Sequence, residues 1–232
     1  MVNRQAAVER LCAKGVVAII RAPGSEQLGV PPATGCGGGP LVEVARALLR
    51  GGVDCIEITM TTPNALKVIS ECRSTLTEAM IGVGSVLDGR TAREAINAGA
   101  EFVISPVFNP DVIEAAHASD LPVIPGAFSP TEILNATLAG ADIVKVFPAG
   151  LLGPRYLRDI LAPMPHLKLS PTGGVDLNTA GEWILAGAVT LCIGSSLVTK
   201  AALAERNYAQ IEDLARQYVR IVAEARTAVK TR

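Results

Sequence analysis

The sequence is short of several things that would point to other classes of protein. Aromatic residues make up 3% of its 232 positions, charged residues 19%, and 21 Lys+Arg against 22 Asp+Glu leave a formal charge of -1. A general nucleic-acid binder carries a basic excess, so no nucleic-acid partner is expected. Disorder needs low hydrophobicity with high net charge, whereas here hydrophobic residues reach 49%. No run of about 18 apolar residues occurs, so neither a transmembrane helix nor a membrane partner is expected. The opening segment MVNRQAAVER has no apolar core, so a secretory signal is not expected. The five cysteines, Cys12, Cys36, Cys55, Cys72 and Cys192, form no CxxC pair. Such a dispersed, odd set reads as reduced thiols in a cytoplasmic protein. The two histidines, His117 and His166, stand apart from other ligand types, so no metal site is expected.

What is present is an alternation. Short β-branched runs lie at 16–20, 53–59, 80–83, 102–105, 122–124, 143–147, 167–170 and 189–193, eight in all. Continuous apolar runs suit strands of a parallel sheet buried on both faces. Helical patterns fall between them at 41–50, 64–73, 89–97, 110–117, 131–138, 155–161 and 177–186. Several end in Gly, which caps a helix C-terminus in the left-handed conformation. Two more helical patterns, 3–14 and 205–228, flank the array. Eight strands alternating with helices in a chain of this length favour an α/β fold, the closed (β/α)8 TIM barrel with an additional N-terminal helix, as one domain over 1–232. An open doubly wound sheet is the alternative, but no dinucleotide fingerprint opens the first unit.

Residues 23–40 stand apart, with six Gly and four Pro. They read as an irregular insertion after the first strand, on the face where barrels carry their chemistry. Such a segment is either a lid or a solvent-exposed insertion.

Barrel active sites are built at the C-terminal ends of strands and in the loops that follow. That places Arg21, Glu57, Thr59, Ser85, Pro106, Lys145, Phe147, Thr172 and the turns Gly173-Gly174 and Gly194-Ser195-Ser196 at the mouth. Lys145 is the most informative. Its neighbours are Ile143, Val144, Val146 and Phe147, and lysine is rarely buried without a partner or a purpose. Burial favours a neutral amine, and a neutral amine attacks ketones to form Schiff bases. The other reading is a lysine paired with an inner carboxylate. Glu57 is boxed in the same way and shares a strand face with Cys55 and Thr59. It is either a counter-ion for Lys145 or a general acid/base beside it. The two Gly-rich turns lie where these barrels commonly bind phosphate through backbone N–H groups; each alone is also ordinary turn chemistry. Arg21 is placed to hold a carboxylate, or is a plain surface arginine.

These residues stand in segments that resemble a known family. The segments are Val-Val-Ala-Ile-Ile-Arg21, Gly51-Gly-Val-Asp-Cys-Ile-Glu57-Ile-Thr59, Ile81-Gly-Val-Gly-Ser85-Val, Ile104-Ser-Pro106, Pro125-Gly126 with Pro130-Thr-Glu132, Ile143-Val-Lys145-Val-Phe147-Pro148, Pro171-Thr172-Gly-Gly174-Val and Cys192-Ile-Gly194-Ser-Ser196. Together they resemble the 2-keto-3-deoxy-6-phosphogluconate (KDPG) aldolases, also described as 4-hydroxy-2-oxoglutarate aldolases. The resemblance implies a class I aldolase on a TIM barrel, a cytoplasmic enzyme of carbohydrate metabolism, usually homotrimeric and working without a cofactor. It puts the Schiff-base lysine at Lys145, the proton-shuttling glutamate at Glu57 and the phosphate loop at Gly173, Gly174 and Ser196. Thr59, Pro106, Phe147, Thr172, Gly194 and Ser195 fall among the substrate-binding positions. Ser85 stands where the family motif has a threonine near the pyruvate carboxylate. Some members carry an arginine where this chain has Thr61; others carry one at the end of the first strand, and Arg21 follows that second pattern. The 23–40 insertion departs from the family. The resemblance leaves open 4-hydroxy-2-oxoglutarate or the galactonate epimer as substrate. A phosphate-binding isomerase or synthase barrel and a non-catalytic phosphosugar-binding barrel are the other readings. Neither calls for a buried lysine beside a glutamate.

Overall fold

The computed structural model describes residues 3–22 and 39–230. Parallel strands alternate with helices along the chain. Helix α1 (Arg4–Lys14) opens it and β1 (Val16–Ile20) follows; then come α2 (Pro40–Arg50), β2 (Cys55–Thr59), α3 (Ala65–Thr75), β3 (Met80–Gly84), α4 (Gly89–Asn97), β4 (Val103–Ile104) and α5 (Pro110–His117). The second half carries β5 (Val123–Ile124), β6 (Gly126–Ala127), α6 (Pro130–Leu138), β7 (Val144–Val146), α7 (Gly153–Leu161), β8 (Leu169–Pro171), α8 (Ala180–Leu185), β9 (Leu191–Ile193), α9 (Lys200–Ala204) and α10 (Tyr208–Lys230).

The strands form a ring. One sheet runs β5-β4-β3-β2-β1-β9 and a second runs β6-β7-β8. They join at two seams. β5 and β6 are halves of one barrel strand parted by Pro125, which has no N–H for the ladder. Its carbonyl still accepts from Lys145 N–H at 2.9 Å, so the strand continues through the break. A parallel bridge between Thr172 and Cys192 links the other edges. The result is the expected (β/α)8 barrel with an extra N-terminal helix.

Two cores follow from strand alternation. Val17, Ile19, Cys55, Met80, Phe102, Ile104, Ile124, Ile143 and Cys192 fill the barrel interior with Ala7 and Leu11 of α1. A larger cluster lies between strands and helices, with Ile20, Leu48, Ile58, Ile81, Val103, Trp183 and Tyr218 among its members. Helix α1 therefore plugs the barrel's N-terminal end. Asn3 caps it, accepting from Ala6 N–H at 2.9 Å. Arg10 and Lys14 reach Asp54 at 2.8 and 3.3 Å, and Arg4 reaches Asp142 at 2.8 Å. At the other end of the chain, the Arg226 guanidinium on α10 donates to the carbonyls of Cys12 and Ala13 in the last turn of α1, and to Val189 before β9. A cation suits a helix C-terminus, where carbonyls lack intrahelical partners.

Several boundaries differ from expectation. Most of the 23–40 insertion lies outside the described residues, but Pro40 already begins α2, since proline fits the first helical turn. The pattern at 177–186 starts as a helix only at Ala180, because the Asp176 carboxylate accepts from Asn178 and Thr179 N–H and holds a turn there. The C-terminal pattern, expected from residue 205, begins as α10 only at Tyr208, past Arg206 with its φ of 54°, and the short α9 before it was not foreseen. Among the described residues no helix is long and apolar enough to cross a membrane.

Candidate active site

The barrel's inward register explains which side chains meet. The interior positions Val17 and Ile19 put Arg21 on the same alternation; Cys55 puts Glu57 and Thr59 there. By the same count Ile143 leads to Lys145 and Phe147, Ile104 to Pro106, and Cys192 to Gly194. Pairing carries this across the wall: Ile19 stands opposite Glu57, Glu57 opposite Gly82, Thr59 opposite Gly84, and Lys145 between Gly126 and Ser170. The candidate residues of the strand ends thus converge on one barrel mouth.

Lys145 is buried, at 4% exposure, and its ammonium sits 5.2 Å from the centre of the Phe147 ring. A ring face attracts a cation. Among the described residues no carboxylate lies within ion-pair distance of it. The paired-lysine reading is therefore not realised as a direct contact.

Glu57 is 1% exposed, and its Oε2 has no hydrogen-bond partner. Burial pushes its carboxyl above the ordinary range, while the positive charges of Lys145 and then Arg21 pull it back. That response puts both cations within electrostatic reach of Glu57. The carboxylate lies over Gly84, and a Cβ there would overlap it. The glycine is thus the space that lets Glu57 point toward the mouth. A second polar atom, Thr172 Oγ1, is buried without a partner. Buried polar groups are normally satisfied, so two orphans facing one interior mark a place for a polar ligand. Below them Ser170 Oγ and Cys192 Sγ lie 3.2 Å apart. Burial raises the Cys192 thiol, and the nearby Glu57 charge raises it further, so it stays protonated.

The rim holds the remaining candidates. Arg21 is exposed; the next residue, Ala22, donates its N–H to Thr62 Oγ1 at 3.3 Å. Thr62 also meets Thr59 Oγ1 at 3.3 Å, and Thr59 meets Thr61 at 2.9 Å, a hydroxyl cluster that residue spacing alone did not reveal. Ser85 adopts φ 60° just past β3. Pro106 sits opposite Gly126, where a Cβ would strike the Pro106 carbonyl. The two glycine turns come together. Ser196 Oγ donates to the Val175 carbonyl at 2.6 Å, tying the turn after β9 to the turn after β8. Gly173 and Gly174 have φ of 82° and 77°, and Gly174 leaves no room for a Cβ beside Gly150. The N–H groups of Gly174, Ser195 and Ser196 donate to no backbone carbonyl among the described residues. A cleft of about 460 Å³ lined by Arg46, Leu49, Arg50 and residues 75–78 lies at the opposite end of the barrel. Its arginines are held by Glu43 and Glu212.

A family model described as KDPG and KHG aldolase matches residues 39–214. The chain belongs to the KDPG and KHG aldolase family. It is thereby an aldehyde-lyase. It is 38% identical over 182 residues to the 2-dehydro-3-deoxy-phosphogluconate aldolase of Treponema pallidum, covering 78% of this chain and 87% of that relative. The Pseudomonas aeruginosa protein of the same name is 35% identical over 188 residues, covering 80% and 85%. Among solved structures, the KDPG aldolase of Legionella pneumophila with pyruvate captured at low pH as a covalent carbinolamine superposes with a TM-score of 0.75 at 27% identity, covering 91% of this chain and 95% of that one.

Proposed function

We propose that this chain cleaves 2-keto-3-deoxy-6-phosphogluconate reversibly to pyruvate and glyceraldehyde 3-phosphate through a Schiff base on Lys145. The observation that carries the reading is the buried Lys145 ammonium, free of any direct carboxylate contact, in the same interior as the orphaned Glu57 carboxyl. The neutral amine attacks the C2 ketone to give a carbinolamine. Glu57, held toward its protonated form by burial, donates the proton that lets water leave. The iminium draws electrons. Glu57, now a carboxylate, accepts the C4 hydroxyl proton as the C3–C4 bond breaks and its electron pair forms the enamine. Glyceraldehyde 3-phosphate departs, the enamine takes a proton at C3, and water releases pyruvate and the amine. In this scheme no cofactor is required.

The other assignments are of the same standing. Arg21 takes the substrate carboxylate, with Ser85 and Thr59 beside it, and Pro106 and Phe147 wall the reacting carbons. Thr172 offers its unpaired hydroxyl to the substrate. Gly173, Gly174, Gly194, Ser195 and Ser196 bind the distal phosphate through backbone N–H groups. The chain works as one barrel domain, in the cytoplasm, and as a homotrimer, as the family resemblance implies. 4-Hydroxy-2-oxoglutarate and the galactonate epimer are the competing substrates. Turnover measured side by side on the three compounds tests the assignment: the gluconate should give the highest kcat/KM. Equal or better turnover of the compound without phosphate would overturn it.

A further inference from the structure

Lys145 is a buried cation without a counter-ion in contact: no carboxylate among the described residues comes within ion-pair distance. Buried charges are normally paired. What the structure does set against its ammonium is the ring of Phe147, with 5.2 Å from the nitrogen to the ring centre.

Phe147 is held there from two sides. Its N–H donates to the Ala127 carbonyl at 3.0 Å, which fixes the backbone just past β7. A Cβ built on Gly173 would lie 3.5 and 3.6 Å from Cε2 and Cδ2 of the ring, so the ring edge rests beside the turn after β8. That turn is bonded back to the chain after Phe147. Ala149 N–H donates to the Thr172 carbonyl at 2.9 Å, and Gly150 N–H to the Gly173 carbonyl at 2.7 Å. The ring therefore sits on a fixed mount. An aromatic face is negative, and its attraction for a cation grows when water is excluded.

The titratable and charged groups around Lys145 are few. Among the described residues, Glu57 and, deeper, Cys55 face the interior from β2, Arg21 follows β1, and Cys192 faces it from β9. The strands paired with β7 set Gly126 and Ser170 beside Lys145, and neither carries a charge.

We propose that the Phe147 ring stabilises positive charge on the Lys145 nitrogen, as ammonium in the resting protein and as iminium in the cycle, in the place a counter-ion would take. The proposal rests on reading Lys145 as the imine-forming amine. Both cations gain alike, and that sets the pH behaviour. Where the resting amine is protonated, a weaker ring costs the starting state and the iminium equally. Where it is neutral, only the iminium loses.

Replacing Phe147 by 4-fluoro-, 3,5-difluoro- and 3,4,5-trifluorophenylalanine keeps the ring in place and drains its face of negative charge stepwise. Glu57, Arg21 and the two cysteines are the same throughout the series. The rate of iminium formation with pyruvate, trapped by cyanoborohydride, is followed against pH. The high-pH plateau should fall and the acid limb should move to lower pH with each fluorine, by about tenfold and about 1 pH unit for the trifluoro ring. The low-pH rates of all four proteins should coincide. Profiles that do not move with fluorination, or that fall by one factor at every pH, would overturn the role of the ring. Wild-type protein that forms no trapped adduct would instead overturn the Schiff-base reading, and the role of the ring with it.

Discussion

Gly84→Ala probes the Glu57 geometry without touching a polar group. A Cβ at residue 84 would overlap the Glu57 carboxylate and come within 2.6 Å of its Cγ. The strands cannot part to make room, since Thr59 pairs with Gly84 and Glu57 with Gly82 in a fixed register. The backbone is not the obstacle, because Gly84 is absent from the positive-φ glycines. The methyl must therefore turn Glu57 away from the mouth. Overpacking of this kind costs about 1–3 kcal/mol of stability. If Glu57 moves protons, activity loses a general acid–base contribution of about 10²–10⁴-fold, or about 2.7–5.4 kcal/mol of barrier. The assay is deuterium exchange into the pyruvate methyl followed by NMR, beside the rate of cleavage; both should fall together. In a Glu57→Ala background the added methyl enters vacated space, and Gly84→Ala should then cost no more than about twofold. Exchange at the wild-type rate in Gly84→Ala, or the same penalty in both backgrounds, would refute the reasoning.

Glu57→Gln should change how stability depends on pH. Burial raises the folded-state carboxyl above its ordinary value of 4.5, so between the two values the folded chain holds a proton the unfolded chain has released. Stability then falls as pH rises through that window, by about 1.4 kcal/mol per unit of separation. The variant should melt higher than wild type above the window and lose the advantage near pH 4.5; a constant difference across pH in thermal melts would contradict this. Gly174→Ala places a side chain at φ 77° against Gly150. It should reduce kcat/KM for the 6-phosphorylated substrate much more than for 4-hydroxy-2-oxoglutarate, and equal losses in a folded variant would remove the turn from the phosphate site.

Much of the barrel is legible in the residues because its signals are local. The apolar run at Val16–Ile20 is a strand from end to end. Gly89–Asn97 and Pro110–His117 begin where expected, since Asp88 and Asn109 cap them. Alternation along β2 and β7 also places Glu57 and Lys145 in the interior. Long-range relations are another matter. That Pro125 divides a strand instead of ending it depends on the neighbouring ladders. Arg226 meeting the end of α1, across more than two hundred residues of chain, leaves no periodic trace. The need for glycine at 84 arises only when the Glu57 side chain occupies that space. The Thr59, Thr61 and Thr62 hydroxyl cluster was visible as composition but not as contact.

In the proposed cycle Lys145 anchors the carbon nucleophile, and chemical trapping reads this out. The chain is incubated with pyruvate, reduced with borohydride and digested, and the modified peptide is located by mass spectrometry. Reduction should leave one pyruvate-derived group on Lys145, in the peptide that contains residues 143–148, and Lys145→Arg should abolish both the label and turnover, because a guanidinium does not become a neutral amine. A label on any other lysine, or none while the protein still cleaves its substrate, would contradict the account.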